Sequence, residues 1–294
     1  MTTTNQTEFP ETRSVEEILA DLDFWTGRSK IHLVQEAGES REAISPHLLA
    51  HLEEVLADPE GYLNEDHDLL PYALVLLAYF REERAHPLML SFFSLADDLT
   101  FDLVGDMRTT ALPALLLRTC GGSLVGIKTL VLNRAADDYV RWAAMETLCL
   151  AVISGLADRE EIILFLSGLM TGDEAERGSH FWSGVVYSLC ELYPADVMEV
   201  VRKGYVDGLI LPRVIRLEDF EKTLADGLEE TLNDLKRALE WRIPDEIERL
   251  VALCEDFDGL PAPKPGARLP NPGKKKTLNK NKKKIAKASR RRNR

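Results

Sequence analysis

The segment "DDYVRWAAMETLCLAVISG", residues 137–155, decides the fold. It opens with two carboxylates and an arginine, which are residue types that active sites use, and it continues as an apolar run. With Asp137 as N-cap, its side-chain oxygen can accept from the amides of Tyr139 or Val140. Asp138 then places a negative charge at the positive end of the helix dipole. We therefore interpret the Asp-Asp-Arg group as structural rather than catalytic.

The same segment carries a stripe of apolar and small side chains at helical spacing. Its members recur at i, i+3, i+4, i+7, i+8 and i+11, and they are Val140, Ala143, Ala144, Thr147, Leu148 and Ala151. Such a stripe predicts one buried helix face, and its small residues let a neighbouring helix approach closely. Arg141 falls off the stripe, and we expect it to pair with an acid in an adjacent helix pair and to brace the array together with Asp137 and Asp138.

From about residue 69 the predicted helices come in pairs, each a longer helix, a short turn and a second helix. The pairs are LLPYALVLLAYF with AHPLMLSFFSL, TTALPALLLRTC with SLVGIKTLVL, DDYVRWAAMETLCLAVI with REEIILFLSGLM, and SHFWSGVVYSLCELY with PADVMEVVRKGY. The first members begin near residues 69, 108, 138 and 179, which brackets the roughly 40-residue period of two-helix HEAT-type repeats. Strand signals are scarce because the valines lie in helical patterns. The sequence predicts an all-α fold, a HEAT-like α-α superhelix of helix pairs.

Helix boundaries follow from capping residues. Ser14 with Glu17 and Asp158 with Glu161 have capping-box spacing, and Ser45 before a proline predicts a helix start. The 1–40 region is predicted to be a helical cap with a partly disordered start, containing "SVEEILADL" and "KIHLVQEA". The repeat domain is predicted over 41–258, and a proline-rich linker with a basic tail over 259–294.

Composition indicates an ordinary globular chain: 294 residues, of which 45% are hydrophobic and 29% charged. No apolar run approaches the ~18 to 20 residues of a membrane span, and the N-terminus has neither the basic opening nor the apolar core of a secretory signal. We expect a cytoplasmic protein without membrane contact. The four cysteines are too far apart for a zinc knuckle, and we expect buried free thiols; they are Cys120, Cys149, Cys190 and Cys254.

Charge is divided unevenly along the chain. Residues 264–294 hold fourteen Lys or Arg and no acid, whereas the remainder holds 22 bases and 49 acids. "LPAPKPGARLPNPG" precedes the basic tail and stops any helix, so we predict that the tail is disordered. Its candidate contacts to phosphates are Lys274, Lys275, Lys276, Lys280, Lys282, Lys283, Lys284, Lys287, Arg290, Arg291, Arg292 and Arg294.

Three roles for the tail remain open. It can contact RNA, DNA or the ribosome, in a salt-sensitive and sequence-blind way and without base stacking, since it contains no aromatic residue. It can instead contact the acidic body or another acidic protein. It can also have no specific role.

Candidate chemical groups are few, and each has a structural interpretation. Asp66, His67, Asp68 and the later His86 could bind a divalent metal or transfer a proton. Adjacent residues point in different directions, however, so we interpret the segment as an acidic helix entrance with Asp68 as N-cap.

Two further groups, an acidic segment and the segment "GSHFWSG", also have both a chemical and a structural interpretation. The acids Asp97, Asp98, Asp102 and Asp106 could face a cation, but like-charge repulsion and Gly105 favour a solvated turn. In "GSHFWSG", His180 and Ser183 lie near Trp182, and we interpret Ser179 as an N-cap with Phe181 and Trp182 as packing residues. No phosphate-binding, zinc-protease or dinucleotide motif is present, so we predict no catalytic residues, no metal and no cofactor.

The core "D-x-V-R-x-A-A", residues 138–144, resembles the HEAT-like repeat, in which Asp and Arg brace successive turns of a solenoid. The ordered series "PHLLAHLEEVLADPEGYL", "YALVLLAYFREERAHPLMLSFFSL", "DLVGDMRTTALPALL" and "DDYVRWAAMETL" resembles the bacterial family called domain of unknown function 1186. The resemblance covers roughly residues 40–225. It implies an all-helical HEAT-like fold and brings no known activity.

Some members of that family end in a zinc-binding SEC-C segment. The corresponding region here has lysines and no cysteine, so no zinc role carries over.

These observations favour a non-enzymatic scaffold that binds another, unidentified protein. The acidic body favours a basic partner. A nucleic-acid- or ribosome-associated protein that uses its basic tail is one alternative, and an enzyme with an unrecognised pocket is another.

Overall fold

A computed structural model describes residues 13–24, 29–63 and 67–253. The chain divides into two units, Met1–Lys264 and Pro265–Arg294, and every described residue lies in the first. The described residues form sixteen α-helices: α1 Val15–Asp23, α2 Ile31–Glu39, α3 Arg41–Ala57, α4 Leu69–Tyr79, α5 Ala85–Phe93, α6 Asp97–Val104, α7 Met107–Thr110, α8 Leu112–Thr119, α9 Val125–Leu132, α10 Asp138–Ile153, α11 Arg159–Gly168, α12 His180–Glu191, α13 Met198–Val206, α14 Leu217–Asp226, α15 Leu228–Arg242 and α16 Ile247–Ala252. Short 3-10 turns lie at Gly61–Leu63 and Ala195–Val197. The all-α prediction is confirmed.

The first helices of the four pairs stand side by side. Helix α4 packs against α8, α8 against α10, and α10 against α12. We call α4, α8, α10 and α12 the first row. Small side chains allow the close approach: a Cβ added to Gly184 of α12 would lie 2.8 Å from Cγ of Trp142 on α10. Neighbouring helices thus supply each other's apolar surroundings.

The second helices of the pairs, α5, α9, α11 and α13, form a second row. Gly126 of α9 lies directly against Leu90 and His86 of α5. The ammonium group of Lys128 on α9 lies 2.6 Å from a carboxylate oxygen of Glu161 on α11. At the far end of the row, α13 approaches Met170, the second residue after α11, through Gly204.

The C-terminal helices form a third layer. Helix α15 packs on α10 and α12, and α16 packs on α4 and α2; we call residues 228–252 the strap. Helices of the first row therefore contact both the second row and the strap. Helix α4 is also covered by α1, α2 and α3. Nine of its eleven residues are therefore buried, which explains why that helix is apolar all round instead of having a single stripe.

A residue in the left-handed region follows each helix of the first row. The backbone enters the left-handed region just after α4, α8, α10 and α12, with φ of 53° at Arg81, 57° at Gly121, 74° at Gly155 and 63° at Tyr193. After α4 and α10 the next amide donates back five residues, from Glu82 to Leu77 and from Leu156 to Ala151. This is the hydrogen bond of the Schellman motif. The four helix ends thus share a left-handed residue, although two of these four positions lack glycine.

Most sequence-based helix predictions agree with this structure. All four pairs form, the two N-terminal helices appear as α1 and α2, and Ser14 with Glu17 makes the expected capping box. Asp158 caps α11, and α7 is an additional short turn before α8.

Two predicted features are wrong. The solvated turn expected around Asp102 is helix α6, which ends where Gly105 takes a positive φ of 59°. The helix expected to begin at Pro46, with Ser45 as its cap, begins five residues earlier, at Arg41. Ser45 instead donates its hydroxyl to the carbonyl of Arg41, and Pro46 lies inside the helix.

Within the described residues, no helix is both long and apolar enough to cross a membrane. The thiols of Cys120 and Cys149 are buried and free, as predicted, and Cys190 is free and half-buried. Cys254 lies outside the described residues. The domain boundaries at residues 40 and 258 stay predictions.

Candidate functional site

The N-terminus of α10 is held by its two aspartates. Asp137 Oδ1 accepts from the amides of Tyr139 and Val140 at 3.0 and 3.2 Å, so the capping prediction is confirmed. The same oxygen lies 3.0 Å from Arg108, and both side chains are largely buried. Asp138 accepts from the hydroxyl of Ser179, the residue that caps α12. Helices α10 and α12 are thereby joined at their N-terminal ends.

Arg141 is 1% exposed, although it falls off the apolar stripe. Its Nε donates to the carbonyl of Val131 at 2.8 Å, and its two terminal nitrogens donate to the carbonyl of Glu174 at 3.2 Å. Its nearest carboxylate is that of Asp138, 3.9 Å away on the same helix. The expectation that Arg141 pairs with an acid in an adjacent pair is therefore wrong.

The physical reason is that backbone carbonyls satisfy a buried guanidinium without burying a second charge. Burial lowers the pKa of Arg141, while Asp138 and Glu174 oppose the shift. The guanidinium also lies 3.7 Å from the ring centre of Phe181, which is a cation–π contact.

Two more arginines bind carbonyls at helix ends. Arg118 on α8 donates to the carbonyl of Ala78 in the last turn of α4 and to that of Pro244 before α16. Arg159 at the start of α11 donates to the carbonyls just after α12, those of Leu192 and Tyr193. The last carbonyls of a helix lack intrahelical partners and carry its negative dipole end. These cations therefore tie successive helix pairs together.

Beside Arg141 lies an open groove of about 670 Å³ between the loop before α10 and the loop before α12. Charged residues of both signs dominate its lining, which includes Arg134, Arg177, Asp173 and Glu176. Nothing in this mixture selects one ligand chemistry. The groove therefore carries no functional assignment.

The predicted acidic and histidine group at the entrance of α4 is assembled differently from expectation. His67 Nδ1 lies 2.6 Å from Oδ2 of Asp23, at the end of α1. Asp23 Oδ1 also accepts from the amides of Asp68 and Leu69, so α4 is capped by Asp23, and the prediction that Asp68 is its cap is wrong. Asp68 instead accepts from the buried Lys30. An acid 45 residues away in sequence could not be assigned from local spacing.

The remaining candidate ligands, His86 and the aspartates around Asp102, do not come together into a site among the described residues. His86 Nδ1 lies 3.0 Å from the hydroxyl of Thr119, so it has different partners from His67. Asp102 and Asp106 are exposed, and the side chains of Asp97 and Asp98, like Asp66, lie outside the described part. Among the side chains that the structure describes, no group of three His, Cys, Asp or Glu residues could hold a metal.

The His180 region is a packing site. Ser179 caps α12 by accepting from the amide of Phe181, as predicted. The His180 ring stacks on Tyr139 with 4.8 Å between centroids. Trp182 and Ser183 are completely buried, and Ser183 accepts from the amide of Leu211, so its hydroxyl is used structurally.

The structure contains a buried ionic cluster that the sequence did not predict. Arg242 at the end of α15 places one nitrogen 2.8 Å from Glu146 of α10 and 3.0 Å from Glu191 of α12. Burial raises the pKa of Glu146 to about 7 against the attraction of Arg242, with a further rise from Glu191. The three residues are 45 and 51 positions apart in sequence, so no local motif links them.

Three successive helices of the second row, α9, α11 and α13, each expose a large aliphatic side chain. Val125 on α9 is 72% exposed, Leu164 on α11 is 74% exposed, and Val206 on α13 is 85% exposed. Leu132, at the end of α9, is also exposed. We call Val125, Leu132, Leu164 and Val206 the aliphatic ridge. Single exposed aliphatics are ordinary, but their recurrence on three neighbouring helices is a property of the row.

The basic tail, with all twelve of its candidate phosphate contacts, lies outside the described residues. Its predicted disorder and binding therefore stay predictions.

An all-α protein built from paired helices in two rows is the class that these observations define. Residues 13–254 match the family model described as Protein of unknown function (DUF1186), and the chain belongs to that family. The match is longer than the resemblance over residues 40–225, and it ends before the basic tail.

Two relatives match over nearly their whole length, and both are called uncharacterized protein. One, from Chlamydia trachomatis serovar D (strain ATCC VR-885 / DSM 19411 / UW-3/Cx), is 29% identical over 248 residues, covering 84% of this chain and 98% of the relative. The other, from Chlamydia muridarum (strain MoPn / Nigg), is 29% identical over 245 residues, covering 83% and 98%. No solved structure matches the chain.

Proposed function

We propose that the chain is a non-enzymatic, cytoplasmic scaffold of HEAT-like helix pairs that binds another protein through the second row. The aliphatic ridge is the observation that carries this proposal. Stacked helix pairs present extended surfaces built from equivalent positions of successive repeats. Exposed aliphatic side chains on three successive helices of such a stack fit a binding surface, because the fully buried core of a protein–protein interface is more apolar than the rest of the protein surface.

The chemistry of the partner follows from charge. Residues 1–263 contain 49 acids and 22 bases, and a net acidic body attracts basic proteins and repels acidic ones. The ridge itself is uncharged, so we expect a partner with an apolar contact surface in a basic surround. The free thiols of Cys120 and Cys149 fit the reducing cytoplasm.

Photo-crosslinking in bacterial cells tests the proposal. A benzophenone side chain would be placed at Leu164 or Val206 on the ridge, and at Leu228 on the strap as a control of comparable type that is 42% exposed. We expect one discrete crosslinked protein from the two ridge positions and not from the control. The same products from all three positions would contradict the proposal, as would no product from the ridge.

A second measurement separates binding from folding. The partner identified by crosslinking can be recovered with the full chain by affinity capture without any crosslinker. The double variant Leu164→Gln, Val206→Gln should reduce that recovery at least tenfold. It should leave the thermal midpoint of unfolding unchanged, because both side chains are exposed. Full recovery with this variant would show that the ridge does not bind.

The tail gives a separate prediction. If it contacts nucleic acid, removal of residues 264–294 should abolish the retention of RNA or DNA at low salt. The affinity of the full chain should also fall steeply as salt rises, because phosphate contacts release counterions. Fluorescence anisotropy with a labelled oligonucleotide measures both effects. Unchanged retention by the truncated chain would refute this role.

A further inference from the structure

Arg242 of the strap forms ion pairs with two acids of the first row, Glu146 and Glu191. Glu146 and Glu191 come from different helices of the row, yet both approach the same terminal nitrogen of Arg242. Arg242 is 5% exposed, and the two glutamate side chains are 16% and 14% exposed. The site therefore holds two carboxyl groups and one guanidinium away from bulk water.

This stoichiometry has an electrostatic consequence. If both carboxyls are ionised, the site carries an uncompensated negative charge, which is costly away from water. If the pair keeps one proton, the charges balance. Two nearby carboxyls in a desolvated site commonly share a proton for this reason. Burial raises the pKa of Glu191 as it does that of Glu146.

The thiol and phenol groups around the site stay neutral near pH 7, because burial raises their pKa values. Burial raises the pKa of Cys149 on α10 and that of Tyr187 on α12. Burial also raises the pKa of Cys190 to about 11, and Asp219 of α14 adds to this shift. Loss of the shared proton therefore changes the charge of the cluster without compensation from these groups.

The strap has few other anchors along α15. The buried residues of that helix are Thr231, Leu235, Ala238 and Arg242. Leu232, Leu239 and Trp241 are half-buried, and the other residues of the helix are exposed and rich in charge. Elements with few buried apolar contacts open at lower free energy than the core does, so the state of the Arg242 cluster can decide whether α15 stays attached.

We propose that Glu146, Glu191 and Arg242 form a proton-dependent latch, which holds the strap closed while the two carboxyls share a proton and loosens it when that proton is lost. Opening exposes the faces of α10 and α12 that α15 covers. This device is independent of the aliphatic ridge, which lies on the second row.

The direction of the pH effect follows from proton linkage. The closed strap keeps a proton that the open, solvated carboxyl releases at lower pH, because the pKa of a solvated glutamate is ~4.3, whereas burial in the closed state raises the pKa of Glu146 to about 7. Raising the pH between these values therefore favours opening. The linkage relation gives an increase of about tenfold in the opening constant between about pH 6 and pH 8.

Hydrogen exchange of the full chain, corrected for the intrinsic rate at each pH, tests this latch. For amides of 231–242 we expect protection to be about tenfold lower at about pH 8 than at about pH 6. Amides of 159–168 in α11, away from the strap, should change less than twofold. Equal changes in both segments would indicate global destabilisation and overturn the proposal, as would an unchanged strap.

Matched variants identify the group responsible. In Glu146→Gln the amide oxygen can still accept from Arg242 and one negative charge remains to balance it, so the protection of 231–242 should become independent of pH. Glu240→Gln removes an exposed acid from the same strap helix and should keep the tenfold change. If Glu146→Gln keeps that change, these carboxyls are not the latch.

Discussion

The first and second rows contain the same kind of helix but differ in what surrounds them. Helices of the first row lie against their neighbours, the second row and the strap, so Trp182 and Leu148 are completely buried. Helices of the second row keep one side toward solvent, where Leu164 and Val206 stand out. One row is therefore buried on all sides, and the other has large side chains that are exposed to solvent.

The largest test of this contrast uses one side chain from each row. Trp182→Ala should lower the free energy of unfolding by about 3 to 5 kcal/mol, because it leaves a cavity in a close-packed layer. Leu164→Ala should change it by less than about 0.5 kcal/mol, since the side chain is already exposed. Urea unfolding measures both. Similar losses would show that the two rows do not differ in this way.

A smaller effect is expected from the arginines at the border between pairs. Arg141→Met should cost about 2 kcal/mol, because the buried carbonyls of Val131 and Glu174 lose a charged donor. Arg134 lines the same groove, but its side chain is 60% exposed and lies 3.8 Å from a carboxylate oxygen of Glu174. Arg134→Met should therefore lower the free energy of unfolding by at most about 0.5 kcal/mol. An equal cost for both would mean that carbonyl binding by Arg141 adds no stability.

The smallest effects concern helix caps. Asp137→Ala removes the cap of α10, in the first row, and its contact with Arg108, and we expect a loss of about 1.5 kcal/mol. Asp158→Ala removes a cap of α11, in the second row, that accepts from one amide at 3.0 Å, and we expect about 0.5 to 1 kcal/mol. Thermal unfolding of the two variants ranks them. The reverse order would contradict the stronger fixation of the first row.

The sequence predicts the parts of this fold that depend on near neighbours. The four helix pairs, the caps at Ser14, Asp137 and Asp158, and the buried face of α10 follow from residues within about four positions of one another. A helix boundary was misplaced only where a local signal was ambiguous, as at Ser45 and in the acidic segment around Asp102.

Long-range partners could not be predicted in the same way. Arg141 and Arg118 bind backbone carbonyls, which every residue has, so no side-chain pattern marks their partners. The cap of α4 comes from Asp23, and Glu146 meets Glu191 and Arg242 only because three separate helices converge. These contacts depend on how helices stack, and periodicity within one helix contains no information about stacking.

The strap also constrains how such an array can be made and changed. Helix α16, close to the end of the described residues, packs on α2 and α4, which lie near their beginning. These early helices are therefore covered only after α16 has been synthesised. A repeat inserted in the middle would separate Arg242 from its acids or α16 from α4, unless the strap were lengthened to match. Unlike an open solenoid, this architecture has a fixed number of pairs.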